Sequence, residues 1–143
     1  MESLIINSQA QMAEFAQKLA KNCRKNDIFA LKGSLGVGKS FLARNFINAL
    51  LDEEQNVPSP TFNLVYSYHS KKGQIFHFDL YRLKSKAELE NIGFFEALQN
   101  GICMIEWPEI AQEFLSKNHI EIFIKNNLEG CEESRVIIIN KNS

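Results

Sequence analysis

The stretch GSLGVGKS, Gly33 to Ser40, constrains this chain more than any other. It fits the pattern G-x-x-x-x-G-K-[ST], with an apolar run, Ile28 to Leu31, before it and a helix-patterned segment after it. Glycines at these positions let the backbone of Gly33, Ser34, Leu35, Gly36, Val37 and Gly38 curl until successive N–H groups face one point. The positive end of the following helix adds to that field. Strand, glycine loop and helix in that order predict a cradle for a nucleotide's phosphates. Lys39 is placed to reach the β and γ phosphates, and the Ser40 hydroxyl to bind Mg²⁺.

The rest of the chain reads as one α/β domain spanning residues 1–143. Its 45% hydrophobic content is enough for one buried core without metal or disulfide staples. Ser3 to Ile6 reads as a strand. Ser8 with Gln11 has capping-box spacing ahead of a helix whose apolar face is Met12, Phe15, Ala16, Leu19, Ala20 and Cys23. The helix after the glycine loop buries Phe41, Leu42, Phe46, Ile47, Leu50 and Leu51. It ends in the acidic tract Asp52 to Glu54 and a loop stiffened by Pro58 and Pro60. Asn63 to Tyr68 and Gln74 to Phe78 form a hairpin across HSKKG, which makes the sheet mixed rather than purely parallel. Ser85 and Glu88 open a helix running to about Leu98. Ile102 to Ile105 is a further strand, a short helix follows it, and Ile120 to Ile124 with Arg135 to Ile139 make a looser hairpin. No internal repeat or domain linker interrupts this order.

A net charge of −1 with scattered Lys and Arg provides no electrostatic footprint for nucleic acid, so any RNA partner is expected to be held by another component. The N-terminus lacks a basic region followed by a long apolar one, and no apolar run reaches the roughly 18 residues of a membrane span; the expectation is a soluble, cytoplasmic protein. The three cysteines, Cys23, Cys103 and Cys131, are widely spaced and are expected to be reduced packing residues.

A phosphate cradle that hydrolyses its ligand also needs carboxylates at the ends of neighbouring strands. Asp79 ends QIFHF and Glu106 ends ICMI, which puts both at the carboxyl edge of the sheet. Glu106 is either a Mg²⁺ ligand or a base toward water, and the sequence leaves both roles open. Thr61 stands where switch loops sense a γ-phosphate, or is an ordinary turn residue. Trp107 is either core or, from its place beside Glu106, linked to the nucleotide. His77 alternates with Phe76 and Phe78 and reads as structural. A guanine site is disfavoured, because Asp79 is followed by LYR rather than by x-x-G, and NKNS occurs only as the sequence terminates. ATP is the expected nucleotide.

Read together with the glycine loop, SPTFNLV, FHFDLYRL and IEWPE resemble the TsaE (YjeE) family of small bacterial ATPases over nearly the whole chain. The resemblance implies ATP and Mg²⁺ as ligands, and a role in forming threonylcarbamoyladenosine beside the tRNA anticodon. It further implies partnership with TsaB-like and TsaD-like proteins, with tRNA met only indirectly. In that scheme hydrolysis resets the partner complex, and turnover is weak without partners. Carried over, Lys39, Asp79 and Glu106 take the catalytic roles, Ser40, Asp79 and Glu106 the metal roles, and Thr61 and Trp107 the switch and sensor roles. The family commonly has Asp at the position of Ser34 and two threonines where this chain has Ser40 and Phe41, so Ser40 keeps a hydroxyl and Phe41 does not. The segments that border the adenine in this scheme, Ser8 to Gln11 and Glu129 to Arg135, carry no motif of their own. Two other classes stand beside it. A small-molecule kinase would need a lid rich in arginine, which Arg24, Arg44, Arg82 and Arg135 do not form. A nucleotide-binding adaptor with incidental hydrolysis is allowed by the short length and near-neutral charge.

Overall fold

The fold is built on one seven-stranded sheet of order β1-β7-β6-β2-β5-β4-β3. A computed structural model describes residues 1–52, 57–60 and 63–141. The strands are β1 (Glu2–Ile6), β2 (Ile28–Lys32), β3 (Val65–Ser70), β4 (Gly73–Asp79), β5 (Ile102–Glu106), β6 (Ile120–Asn126) and β7 (Arg135–Lys141). The four central strands, β6, β2, β5 and β4, run parallel, while β7, β1 and β3 pair antiparallel at the two flanks. The expected mixed sheet is present, and the strand that feeds the glycine loop lies at its centre.

Helices cover both faces. On one face, α1 (Gln9–Asn22) and α2 (Lys39–Leu50) pack on Phe29, Leu31, Ile75, Ile102, Met104, Ile122, Ile124 and Ile137. On the other, α3 (Ala87–Asn91), α4 (Phe94–Asn100) and a 3₁₀ helix (Pro108–Phe114) pack on Ile28, Phe78, Cys103 and Ile105. The alternation of side chains along each strand produces this division, since residues two apart share a face. Phe29, Phe46, Phe78 and Phe94 are fully buried, and each such ring contributes about 1.5–3 kcal/mol of hydrophobic free energy.

Local chemistry explains where the elements begin. Ser8 caps α1 by accepting the Gln11 N–H at 3.1 Å, while the Gln11 side chain accepts the Asn7 N–H at 2.7 Å, one residue further back than a simple capping box. The helix expected from Ser85 to Leu98 is instead two short helices, because Gly93 adopts φ 72 between them and turns the chain. Its capping box is half made: the Glu88 carboxylate accepts the Lys84 N–H at 3.2 Å, and no side chain caps α3. Strand β3 starts at Val65 rather than Asn63, since Leu64 is held at φ 67, outside strand geometry.

The cysteines are free, as expected, but differ in setting. Burial pushes the Cys103 thiol up to about 12, which makes it an inert packing group. Cys131 is exposed on the β6–β7 loop and packs in no core. Glu53, Glu54, Thr61 and Phe62 lie outside the described residues, so the switch position expected at Thr61 has no structural account. Among the described residues, no helix is long and apolar enough to cross a membrane.

Candidate functional site

The glycine loop joins the carboxyl end of β2 to the start of α2, where the sheet edge and a helix N-terminus meet. Gly33, at φ 149, has no space for a side chain: a Cβ there would lie 2.4 Å from the Ile124 carbonyl oxygen. Gly38 caps α2 at φ 119 and makes no side-chain cap hydrogen bond to the first-turn N–H groups of that helix. A phosphate is the kind of acceptor such donors fit.

Lys39, the first residue of α2, is buried, and its ammonium donates to the carbonyls of Gly33 and Ser34 within the same loop. The ring of Trp107 lies across it, with the ammonium 3.3 Å from the ring centroid. Burial lowers the Lys39 pKa from its ordinary value, and Glu106, Glu109 and Asp79 pull it back in part. Lys39 is thus a desolvated cation held by neutral carbonyls and a π face, ready to exchange them for an anion.

Strand parity delivers the acidic groups. On β4, Ile75, His77 and Asp79 share the face toward α2; on β5, Ile102, Met104 and Glu106 do so. Asp79 and Glu106 are direct neighbours in the parallel register and are 5% and 2% exposed. Both sequence-predicted carboxylates therefore sit side by side at the edge above the loop. The Ser40 hydroxyl donates to Glu106 Oε1 at 2.6 Å, joining the loop to β5 across 66 residues. The other carboxylate oxygen, Oε2, lies 2.6 Å from His77 Nε2. Asp79 Oδ1 accepts the Tyr81 N–H at 3.0 Å, and the Asp79 N–H donates to the Leu64 carbonyl at 3.0 Å. Through Leu64, the proline-stiffened loop is tied to the site's backbone.

Trp107 adopts φ 56 and ψ 60, a costly conformation for a bulky residue, directly after Glu106. That turn aims its ring back over Lys39 and against Tyr81, whose ring centroid is 4.7 Å away. The half-buried Trp107 is thus a wall of the cavity beside the glycine loop and not core. The cavity is ≈ 250 Å³ and is also lined by Leu35, Gly36, Gly38, Lys39, Ser40, Phe41, Asp79 and Glu106.

A second cavity of ≈ 290 Å³ lies on the other side of the loop, bordered by Ser8, Gln9, Met12, Val37, Phe41, Arg44, Glu133 and Arg135. Phe41 lines both cavities, so the residue expected in the buried face of α2 is instead a half-buried divider. Arg135 donates from Nε to the Val37 carbonyl at 2.9 Å, bracing the loop from the start of β7.

His77 escapes the sequence reading: it alternates with phenylalanines and reads as structural, yet its place two residues before Asp79 already puts both on one face. Arg135 ends the segment Glu129 to Arg135 that the resemblance sets beside the adenine, but its bond to the loop has no local signal, since it is made across 98 residues.

The family model described as "Threonylcarbamoyl adenosine biosynthesis protein TsaE" matches residues 6–136, a span that contains every part of this site. The chain belongs to the TsaE family. Relatives bearing the name tRNA threonylcarbamoyladenosine biosynthesis protein TsaE include one from Rickettsia felis, 41% identical over 92% of this chain and 75% of its own. Another, from Haemophilus influenzae, is 36% identical over 96% of this chain and 89% of its own. The crystal structure of Bacillus subtilis YdiB is similar in fold, with a TM-score of 0.76 at 22% identity, covering 99% of this chain and 86% of that one. The TsaE resemblance read from the glycine loop, FHFDLYRL and IEWPE is thereby established.

Proposed function

We propose that this chain is a Mg²⁺-dependent ATPase of tRNA threonylcarbamoyladenosine biosynthesis, whose hydrolysis of ATP resets a complex of TsaB-like and TsaD-like proteins. The observation that carries the reading is the hydrogen bond from Ser40 to Glu106 beside the buried Lys39 and Asp79. Membership of a family described as threonylcarbamoyl adenosine biosynthesis proteins supports the biological setting.

The donor set fits the ligands. Mg²⁺ takes hard oxygen ligands and keeps much of its water, so one hydroxyl and one carboxylate are a sufficient protein contribution. Ser40 Oγ and Glu106 Oε1 are such a pair. When bound, Mg²⁺ would neutralise charge developing on the phosphate oxygens. The uncapped turn of α2 and the Lys39 ammonium would hold the triphosphate, with Lys39 leaving its carbonyl partners to do so. The cavity beside Met12, Phe41 and Arg135 would take the base and sugar.

The roles of the two carboxylates then separate. Both oxygens of Glu106 are engaged, one by Ser40 and one by His77, which supports reading Glu106 as the metal-side carboxylate rather than the base. Asp79, its strand neighbour, is assigned to orient the attacking water and accept its proton. Trp107 would report on the phosphates, because an anion at Lys39 competes with its ring. None of the arginines lines the phosphate cavity, so the clamp a kinase needs has no counterpart there.

The test is phosphate release from ATP by the purified protein, alone and with its TsaB and TsaD counterparts, for wild type and Asp79→Ala. The reading expects slow turnover alone, acceleration by the partners, and loss in the variant. Undiminished turnover in Asp79→Ala would overturn the assignment of Asp79, and absence of stimulation would overturn the resetting role.

A further inference from the structure

Glu106 is a carboxylate at 2% exposure, and a buried charge of that kind holds its place only through its hydrogen-bond donors. Its two oxygens have different partners. Ser40, at the start of α2, engages Oε1, and His77, from the neighbouring strand, engages Oε2. Taken as a carboxylate, Glu106 only accepts, which places the donor of this bond on His77 Nε2. The imidazole is wholly buried, and its Nδ1 has no partner among the described residues. The ring is therefore oriented by packing within the sheet's core, and all of its polar contact is directed at Glu106.

We propose that His77 is a positioning residue for the metal side of the site, holding one oxygen of Glu106 so that the other is presented at Ser40. The inference rests on the reading of Glu106 as the Mg²⁺-side carboxylate, and goes beyond it by assigning that geometry to a residue outside the cavity lining. Without a donor at this point, Oε2 would be left buried and unsatisfied, and the carboxylate would be free to rotate. Rotation of that kind removes Oε1 from Ser40. Partners behind metal ligands act in this way elsewhere, and their loss typically costs about 10–100-fold in metal affinity or activity.

The unpartnered Nδ1 makes the assignment selective. Only the Nε2 donor matters, and a glutamine amide reaches that point whereas leucine supplies no donor. The experiment measures ATP dissociation constants by calorimetry, in EDTA and in excess Mg²⁺, for wild type, His77→Gln and His77→Leu. In wild type, Mg²⁺ is expected to tighten ATP binding. His77→Leu is expected to lose about 10-fold or more of that metal-dependent gain, with the affinity in EDTA unchanged, and His77→Gln to retain it. A full metal-dependent gain in His77→Leu would overturn the proposal. So would an equal loss in EDTA and in Mg²⁺, which marks a purely structural role, or a glutamine variant that behaves like leucine. If wild type itself gains nothing from Mg²⁺, the reading of Glu106 fails first and takes the proposal with it.

Discussion

Strands β2, β5 and β4, and the wing made of the parallel strand β6 with antiparallel β7 and β1, present the same helix-facing surface, yet they fill it with opposite chemistry. In the wing, that surface is Ile6, Ile120, Ile122, Ile124 and Ile137, all buried hydrocarbon. On β4 and β5, hydrocarbon gives way toward the carboxyl edge to His77, Asp79 and Glu106. Buried charge is costly unless paired, and among the described residues the buried carboxylates, Asp79 and Glu106, both line the cavity that Ser40 and Lys39 also line. The difference teaches a division of labour: the wing supplies stability, and the carboxyl edge of the parallel strands holds the ionised groups a ligand would need. Arg135 on β7 and the Ile124 carbonyl on β6 bring the wing against the glycine loop.

The comparison can be broken most forcefully from the wing. Ile122→Ala, at a fully buried position beside Leu31, is expected to cost about 2–5 kcal/mol of stability in urea denaturation. ATP affinity of the folded variant should stay as in wild type; a matching loss of affinity would show that the two regions are not separable. Lys39→Ala should do the reverse. Losing charge-assisted bonds of about 1.5–3 kcal/mol corresponds to a drop of roughly 10- to 100-fold in ATP affinity, with loss of nucleotide-dependent assembly in a pull-down with the partners.

Smaller effects sharpen the boundary. Arg135→Ala removes the brace on the Val37 carbonyl and is expected to weaken ATP binding several-fold, about 1 kcal/mol, with little change in the urea midpoint. On the wing's outer side, the Lys32 ammonium 2.8 Å away holds the Glu121 carboxyl below its ordinary value. A depressed folded value means that this contribution is present above the ordinary carboxylate range, near about pH 4.3, and disappears as pH falls through the folded value. Glu121→Gln should therefore cost at most about 1 kcal/mol at neutral pH and nothing at strongly acid pH. Urea midpoints at the two conditions check this.

How much of the molecule was legible in its sequence follows the same division. The glycine loop, Asp79 and Glu106 were readable because strand, turn and helix signals are local and fix which edge a terminal residue occupies. The mixed sheet followed from the hairpin at β3 and β4 for the same reason. Gly93 hid in an otherwise helical pattern, since a glycine within a helix is tolerated until the fold asks it to turn. The Ser40 bond to Glu106 and the Arg135 bond to Val37 join residues remote in sequence, and no periodicity encodes them. His77 looked like core because it is core: its burial is the same as that of its phenylalanine neighbour Phe78, and only the carboxylate opposite distinguishes it.

The central claim is that Ser40, Lys39, Asp79 and Glu106 form one nucleotide and metal site. A crystal structure with Mg²⁺ and a non-hydrolysable ATP analogue tests it most directly. The account predicts the triphosphate along residues 33–40, the metal beside Ser40 and Glu106, and the Lys39 ammonium moved from the Gly33 carbonyl to the phosphates. Density for the analogue elsewhere, or Lys39 still bound to its own loop beneath Trp107, would contradict it.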